Sequence, residues 1–186
     1  MDLHSLITER WSPVAFDDRE VEHEKLQSLF QAAMWAPSSR NSQPWRFIYA
    51  TKSDPNYHEV FHLLNEGNRI WAYTAPVLAV SVAETISTYK GRHNYYAFYD
   101  TGMAVGNLLL QATFLGLFVH QMGGYDMVSA RKAFQIPERF EPIAMMAIGY
   151  KGSPGRLDKE ISDRENQPRS RNKLEEHLFK GIFGKH

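Results

Sequence analysis

A chain of 186 residues, 43% hydrophobic and 13% aromatic, carries enough apolar surface for a core of its own, so composition excludes general disorder and argues for one domain. Lysine plus arginine equals aspartate plus glutamate at 21 each, so no net field recruits nucleic acid, and no apolar run reaches membrane-spanning length. The absence of cysteine excludes disulfides and thiolate chemistry together, and the start Met1-Asp2-Leu3-His4 lacks the regions of a signal peptide, so a cytoplasmic location is expected.

The first motif is an Arg-x-Ser pair, Arg10 and Ser12. Beyond it, Leu26, Leu29, Phe30, Ala33 and Met34 recur at helical spacing and predict an amphipathic helix that stops at Pro37. The run APSSRNSQPW, residues 36–45, follows directly. Pro37 and Pro44 stiffen it into a loop, and Ser38, Ser39, Asn41 and Gln43 offer donors and acceptors suited to a heterocycle with carbonyl and imide groups. The same residues are ordinary in a surface loop, and the segment alone fits both readings. Residues 46–51 read as a strand. Asp54-Pro55 reads as a helix start, with the helix ending near Gly67 and Val60, Phe61 and Leu64 as its buried stripe.

Residues 76–83 form a near-continuous Val/Leu/Ala run, suited to a strand buried on both faces. Residues 99–117 give the longest helical signal, with Ala104, Leu108, Ala112 and Leu115 on one stripe. Residues 118–122 predict a strand running into Gly123-Gly124, where backbone amides can approach a ligand unobstructed, and residues 142–150 predict a fourth strand. Strands alternating with helices imply an α/β (α+β) class, a sheet covered by helices. From Lys151 onward the chain turns polar, with 9 Lys/Arg against 6 Asp/Glu, and reads as an extended arm, 151–186, of a single domain 1–186. Arg169 and Arg171 form an Arg-x-Arg pair on it.

Guanidinium is the preferred planar partner of phosphate oxygens, and a serine hydroxyl adds a neutral donor. Arg10, Ser12, Arg169 and Arg171 therefore suit a phosphate clamp if the two ends of the chain meet, and are solvated surface residues if they do not. No glycine-rich dinucleotide fingerprint, phosphate-binding lysine loop or serine nucleophile elbow occurs. His58-Glu59-Val60-Phe61-His62 matches the H-E-x-x-H zinc pattern, but the predicted helix turns both histidines outward, so no metal site is expected.

Seven segments in order resemble the FMN-dependent nitroreductase family: RWSPVAF (10–16), APSSRNSQPWRF (36–47), EGNRIWAYTAPVL (66–78), DTGMAVGNLLLQATFLGL (100–117), QMGGYD (121–126), AIGY (147–150) and RSRNKLEEHLF (169–179). The resemblance implies a central mixed sheet covered by helices, and a homodimer whose C-terminal arm wraps the partner subunit, with FMN at the interface. It implies that Arg10, Ser12, Arg169 and Arg171 hold the FMN phosphate, with Trp11 between them contributing backbone. It further implies that Pro37, Ser38, Ser39 and Asn41 reach FMN from the partner, that Asn68 bonds the pyrimidine edge, and that Met122, Gly123 and Gly124 line the isoalloxazine ring, a glycine amide facing N5.

The implied reaction is ping-pong hydride transfer from NADH or NADPH through flavin N5 to a nitroaromatic, quinone or related flat acceptor. No catalytic side chain is required, since the cofactor carries the chemistry. One departure stands out: where the family usually places Arg or Lys two residues after the serine, this chain has Val14, which leaves open how negative charge at flavin N1 is met. The short aromatic stretch 89–99, with Tyr89, Tyr95, Tyr96, Phe98 and Tyr99, fits a roof over a flat ligand and also fits ordinary core. The rival from another class is a non-catalytic flavin-binding or storage protein.

Overall fold

The strand formed by the Val/Leu/Ala run lies at the centre of the sheet because both of its faces are buried. The computed structural model describes residues 2–87 and 91–185, so Tyr89 lies outside the described residues. In chain order the elements are α1 (Ser5–Glu9), α2 (His23–Met34), β1 (Trp45–Thr51), α3 (Tyr57–His62), α4 (Glu66–Ala72), β2 (Val77–Glu84), α5 (Ala97–Phe114), β3 (Phe118–Met122), α6 (Met127–Ala133), β4 (Phe140–Gly149) and α7 (Lys159–Glu165). The strands form one sheet in the order β1-β2-β4-β3.

All three strand pairings are antiparallel, so within one chain the sheet is not mixed, while the expected α+β class holds. The apolar run of β2 records burial on both faces and says nothing about strand direction, which is why the sequence pattern does not separate the two cases. Alternation along β2 and β4 divides the core in two. Leu78, Val80, Val82, Met145 and Ala147 face one cluster, completed by Val14, Phe16, Val60, Leu64, Trp71 and Ile161. Val77, Ala79, Met146 and Ile148 face the other, completed by Leu26, Leu29 and Ala33 of α2 and Ala104, Leu108 and Ala112 of α5. Two helical layers thus sandwich the sheet.

The single helix expected from Asp54 to about Gly67 is divided. α3 ends at His62, the chain crosses at Leu64, which bridges to Tyr125, and Asn65 starts α4 by accepting the Asn68 amide. The break is imposed by a contact from outside the segment, because the Asn65 amide donates to the Gly124 carbonyl, and that tie to the strand end is incompatible with a continuing helix.

α5 is apolar almost all round. Its inner stripe fills the second cluster, yet Phe98, Tyr99 and Phe114 are exposed, and Trp35 beside it is 86% exposed. A helix apolar on every side is a helix with a second partner surface.

The segment expected as one extended arm has two parts. Its first part returns to its own chain: Leu157 and Ile161 are buried in the first cluster. Phe16 bridges Lys151, the Gly152 amide donates to the Ala15 carbonyl, and a Cβ at Gly152 would lie 2.4 Å from the Phe16 carbonyl carbon, so that position admits only glycine without a backbone shift. From Asn166 to Lys185 every side chain except the half-buried Phe179 is exposed, including Leu174, Leu178, Ile182 and Phe183.

Candidate functional site

The two ends of the chain meet. Arg10 follows directly on α1, and its guanidinium donates to the Ser12 hydroxyl at 2.9 Å. The Arg169 guanidinium donates to the Arg10 carbonyl at 2.6 Å and to the Thr8 carbonyl. Burial, then the charges of Arg169 and Arg171, push the Arg10 guanidinium below its ordinary pKa. Three guanidiniums thus share one neighbourhood, and among the described residues none of them forms an ion pair. Like charges gathered without an ion-pair partner are unfavourable by themselves and favourable around an anion.

The N-terminal segment is held in place by Glu165, the last residue of α7. One of its buried carboxylate oxygens accepts from the Trp11 indole nitrogen at 2.9 Å and the other from the Val14 amide at 2.8 Å, while Lys151 Nζ lies 2.9 Å from the first. Lys151 and Arg169 also lie over the Trp11 ring, at 5.8 and 5.7 Å from its centroid. The sequence carries no local signal for Glu165, an acid in a polar arm whose hydrogen-bond donors Trp11 and Val14 lie 154 and 151 positions away. Glu165→Ala orphans a half-buried indole N–H and a buried amide, so stability falls by about 3 kcal/mol. A shifted urea midpoint together with faster proteolysis within 151–185 checks this, and an unchanged midpoint denies Glu165 its anchoring role.

Beneath the arginines lies His120 of β3. Its Nδ1 meets the Pro13 carbonyl at 2.8 Å, and its ring packs on Trp71 with centroids 4.4 Å apart. Burial lowers its pKa, with Arg164 and Arg10 acting the same way and the Pro13 carbonyl and Glu165 opposing. The imidazole therefore stays neutral near neutral pH and adds no further positive charge to the arginine group.

β3 ends at Met122, whose side chain is buried in the core, so what it presents outward is backbone. Gly123 is exposed and Gly124 half-buried. The Asn68 amide nitrogen donates to the Gly124 carbonyl at 2.9 Å, while a Cβ at Gly124 would fall 2.4 Å from Asn65 Nδ2. Asn68 and the glycine pair, 56 residues apart in sequence, are thus one unit, and Asn65 is the tie that sequence reasoning missed. An asparagine just ahead of Glu66 is a readable helix-cap signal.

The loop after α2 is strained. Arg40, Asn41 and Gln43 have φ of 55°, 55° and 47°, a left-handed conformation costing non-glycine residues about 1 kcal/mol or more each. It is held by the Ser38 hydroxyl accepting the Gln43 amide at 3.0 Å, and by the buried Asp100 of α5 accepting the Ser39 amide at 3.0 Å. Pro37 and Asn41 are exposed, and Ser38 and Ser39 half-buried. Among the described residues no hydrogen bond or ion pair links Pro37, Ser38, Ser39 or Asn41 to the arginine group or to the Asn68–Gly124 unit. Within one chain, the candidate residues form two groups and a separate loop.

His58 and His62 are both exposed on α3, and no cluster of three potential metal-ligating side chains occurs among the described residues. His58→Ala and His62→Ala should leave metal content unchanged. Stoichiometric zinc in protein purified without added metal, lost in these variants, would establish a metal site.

Known proteins share this fold. The model of the nitroreductase family matches residues 7–60 and 51–150. The chain belongs to the nitroreductase family. Within it, a protein of Methanothermobacter thermautotrophicus described as "Putative NADH dehydrogenase/NAD(P)H nitroreductase" is 30% identical over 171 residues, covering 88% of this chain and 85% of that one. A solved structure of an oxidoreductase containing FMN superimposes with a TM-score of 0.95 at 34% identity, over 100% of this chain and 95% of that one. A nitroreductase family protein from Streptococcus pneumoniae shares the fold, with a TM-score of 0.76 at 21% identity over 95% of this chain and 98% of that one.

At the position where the family usually has a cation, the Val14 side chain is buried in the core and its amide is taken by Glu165. Arg40 is exposed on the separate loop and, among the described residues, forms no hydrogen bond or ion pair with the arginine group of its own chain. Among the described residues, no helix is long and apolar enough to cross a membrane.

Proposed function

We propose that this nitroreductase family member is a flavin oxidoreductase that works as a homodimer in the cytoplasm, with FMN held between two chains. The observation that supports the reading is the gathering of Arg169 and Arg171 about Arg10, whose guanidinium donates to Ser12, with no ion pair formed by any of the three among the described residues. A phosphate dianion fits that donor set in charge and in hydrogen-bonding chemistry. Names given to relatives, an oxidoreductase containing FMN and an NAD(P)H nitroreductase, agree with it.

Bound FMN would supply hydride chemistry, accepting from NADH or NADPH and donating in a second half-reaction to a flat nitroaromatic, quinone or related acceptor. The chain's own residues bind and orient. Arg10, Ser12, Arg169 and Arg171 hold the phosphate, with the backbone at Trp11 between them. Asn68 and the amides at Met122, Gly123 and Gly124 address the ring, and preorganised amides of this kind stabilise charge as it develops. Pro37, Ser38, Ser39 and Asn41 complete the pocket from the partner, since their own chain leaves them apart from both groups. The outward aromatics of α5, Trp35 and the apolar side chains of 166–185 supply the dimer contact, the arm wrapping the partner.

Absorbance of the purified protein tests the reading. A yellow protein bleached by NADH or NADPH supports the oxidoreductase. A yellow protein inert to both makes it a flavin store, and a colourless protein that does not take up added FMN removes the flavin altogether.

A further inference from the structure

Asp100 lies in the first turn of α5 and is 2% exposed, yet among the described residues it forms no ion pair. A carboxylate buried without a counter-charge is costly, and the field at a helix start offsets only part of that cost. Its Oδ2 accepts the Ser39 amide at 3.0 Å. Among the described residues, this is the one hydrogen bond that ties residues 37–43 to an element not adjoining them in sequence. The others lie within the segment or run from Arg46 of β1 to the Gln43 carbonyl.

These bonds decide what the loop can offer a ligand. The amides of Ser39, Asn41, Ser42 and Gln43 are taken, in that order, by Asp100, the Ser38 carbonyl, the Ser39 carbonyl and the Ser38 hydroxyl. Among the described residues the Ser39 hydroxyl and the Asn41 carboxamide form no hydrogen bond, and the Ser38 hydroxyl donates none. The loop therefore presents side chains. Their directions follow from the left-handed backbone at Arg40 and Asn41, both at φ 55°. Such backbone persists in non-glycine residues only where the surroundings fix it. Asp100 supplies a fixed point, because it stands on a helix of 18 residues whose nearby Ala97, Thr101 and Ala104 are all buried.

We propose that Asp100 is a positioning residue for recognition of the flavin ring. It holds the Ser39 amide, and through it the loop, so that Ser38, Ser39 and Asn41 meet the partner's pocket already oriented and lose little freedom on binding. Asp100 itself touches neither flavin nor substrate. The inference rests on the flavin reading and on a pocket shared between chains.

Fluorescence titration of the full-length Asp100→Ala protein should show FMN and riboflavin weakened by the same factor, about tenfold, because the phosphate clamp is untouched. Asp100→Asn keeps an oxygen for the Ser39 amide and should recover most of that loss. In flavin-free protein, trypsin should cut after the exposed Arg40 several-fold faster in Asp100→Ala than in wild type or Asp100→Asn. A lesion carried by the loop acts on the partner's pocket, so a heterodimer of Asp100→Ala with Arg171→Ala should retain one FMN at wild-type affinity. General damage to the Asp100→Ala chain would leave it none. If Asp100→Ala fails to fold, Ser39→Pro removes the same bond from the other side, since Ser38 already has the extended backbone that a following proline requires, φ −148° and ψ 155°. Ser39→Ala is its control for the lost hydroxyl.

Unchanged flavin affinity in Asp100→Ala, Ser39→Pro binding as tightly as Ser39→Ala, or a heterodimer that retains no FMN overturns this proposal alone. Wild-type protein that binds neither flavin sinks the flavin reading and this proposal with it.

Discussion

Arg10→Ala and Arg171→Ala will each weaken FMN retention about tenfold or more, because a charge-assisted contact to phosphate is typically worth about 1.5–3 kcal/mol. The fold should survive both changes. Arg171 is exposed, and among the described residues the Arg10 guanidinium bonds only the Ser12 hydroxyl, while its neighbours Arg169 and Arg171 repel it. Removing Arg10 therefore relieves charge crowding in the empty protein, and the variant without FMN should melt no lower than wild type without FMN. The rise in melting temperature on adding FMN should shrink, since that rise follows ligand concentration relative to Kd. Riboflavin, which lacks the phosphate, should bind wild type far more weakly than FMN does. Wild-type FMN affinity in both variants removes the clamp from these arginines.

What the sequence makes legible is local periodicity and backbone chemistry. The boundaries of β3 and the inner stripe of α5 follow from patterns with periods of two and 3.6 residues, and the apolar run of β2 correctly signals burial on both faces. The stiffened loop before β1 follows from its prolines, although three consecutive-region left-handed residues, Arg40, Asn41 and Gln43, are not something prolines announce. The split between α3 and α4 escapes the sequence because it is imposed from outside the segment, by the Gly124 carbonyl accepting the Asn65 amide.

The candidate arginine group is legible in its residue types and not in its anchoring. Arg10, Ser12, Arg169 and Arg171 stand out by type and spacing, but nothing local says that the ends of the chain meet. That depends on Glu165, whose three partners are scattered over Trp11, Val14 and Lys151. His120 is missed for a related reason: a histidine in a strand declares neither its ring partner Trp71 nor the Pro13 carbonyl it faces. Polar residues that hold one long-range contact carry no period, and so remain silent until the fold supplies their partners.

The other large effect concerns how two chains share a site. In a single chain the loop bearing Asn41 is tied to Asp100 of α5 and not to the arginine group, so a pocket needing both draws them from different chains. Arg171→Ala then damages the pocket built on its own chain's arginines, and Asn41→Ala damages the pocket it reaches across the interface. Each homodimer carries two identical lesions and should lose most NAD(P)H-dependent activity at limiting FMN. A heterodimer of the two variants places both lesions in one pocket and leaves the other pocket intact, so mixing should restore up to about half of wild-type activity per heterodimer, the arithmetic of independent sites. Unfolding and refolding the mixture permits subunit exchange, and two distinguishable tags isolate the heterodimer. Activity that stays at the level of the homodimers in confirmed heterodimers, with a wild-type control surviving the same refolding, would leave each FMN to a single chain and require the strained loop at Arg40–Gln43 to serve some other purpose.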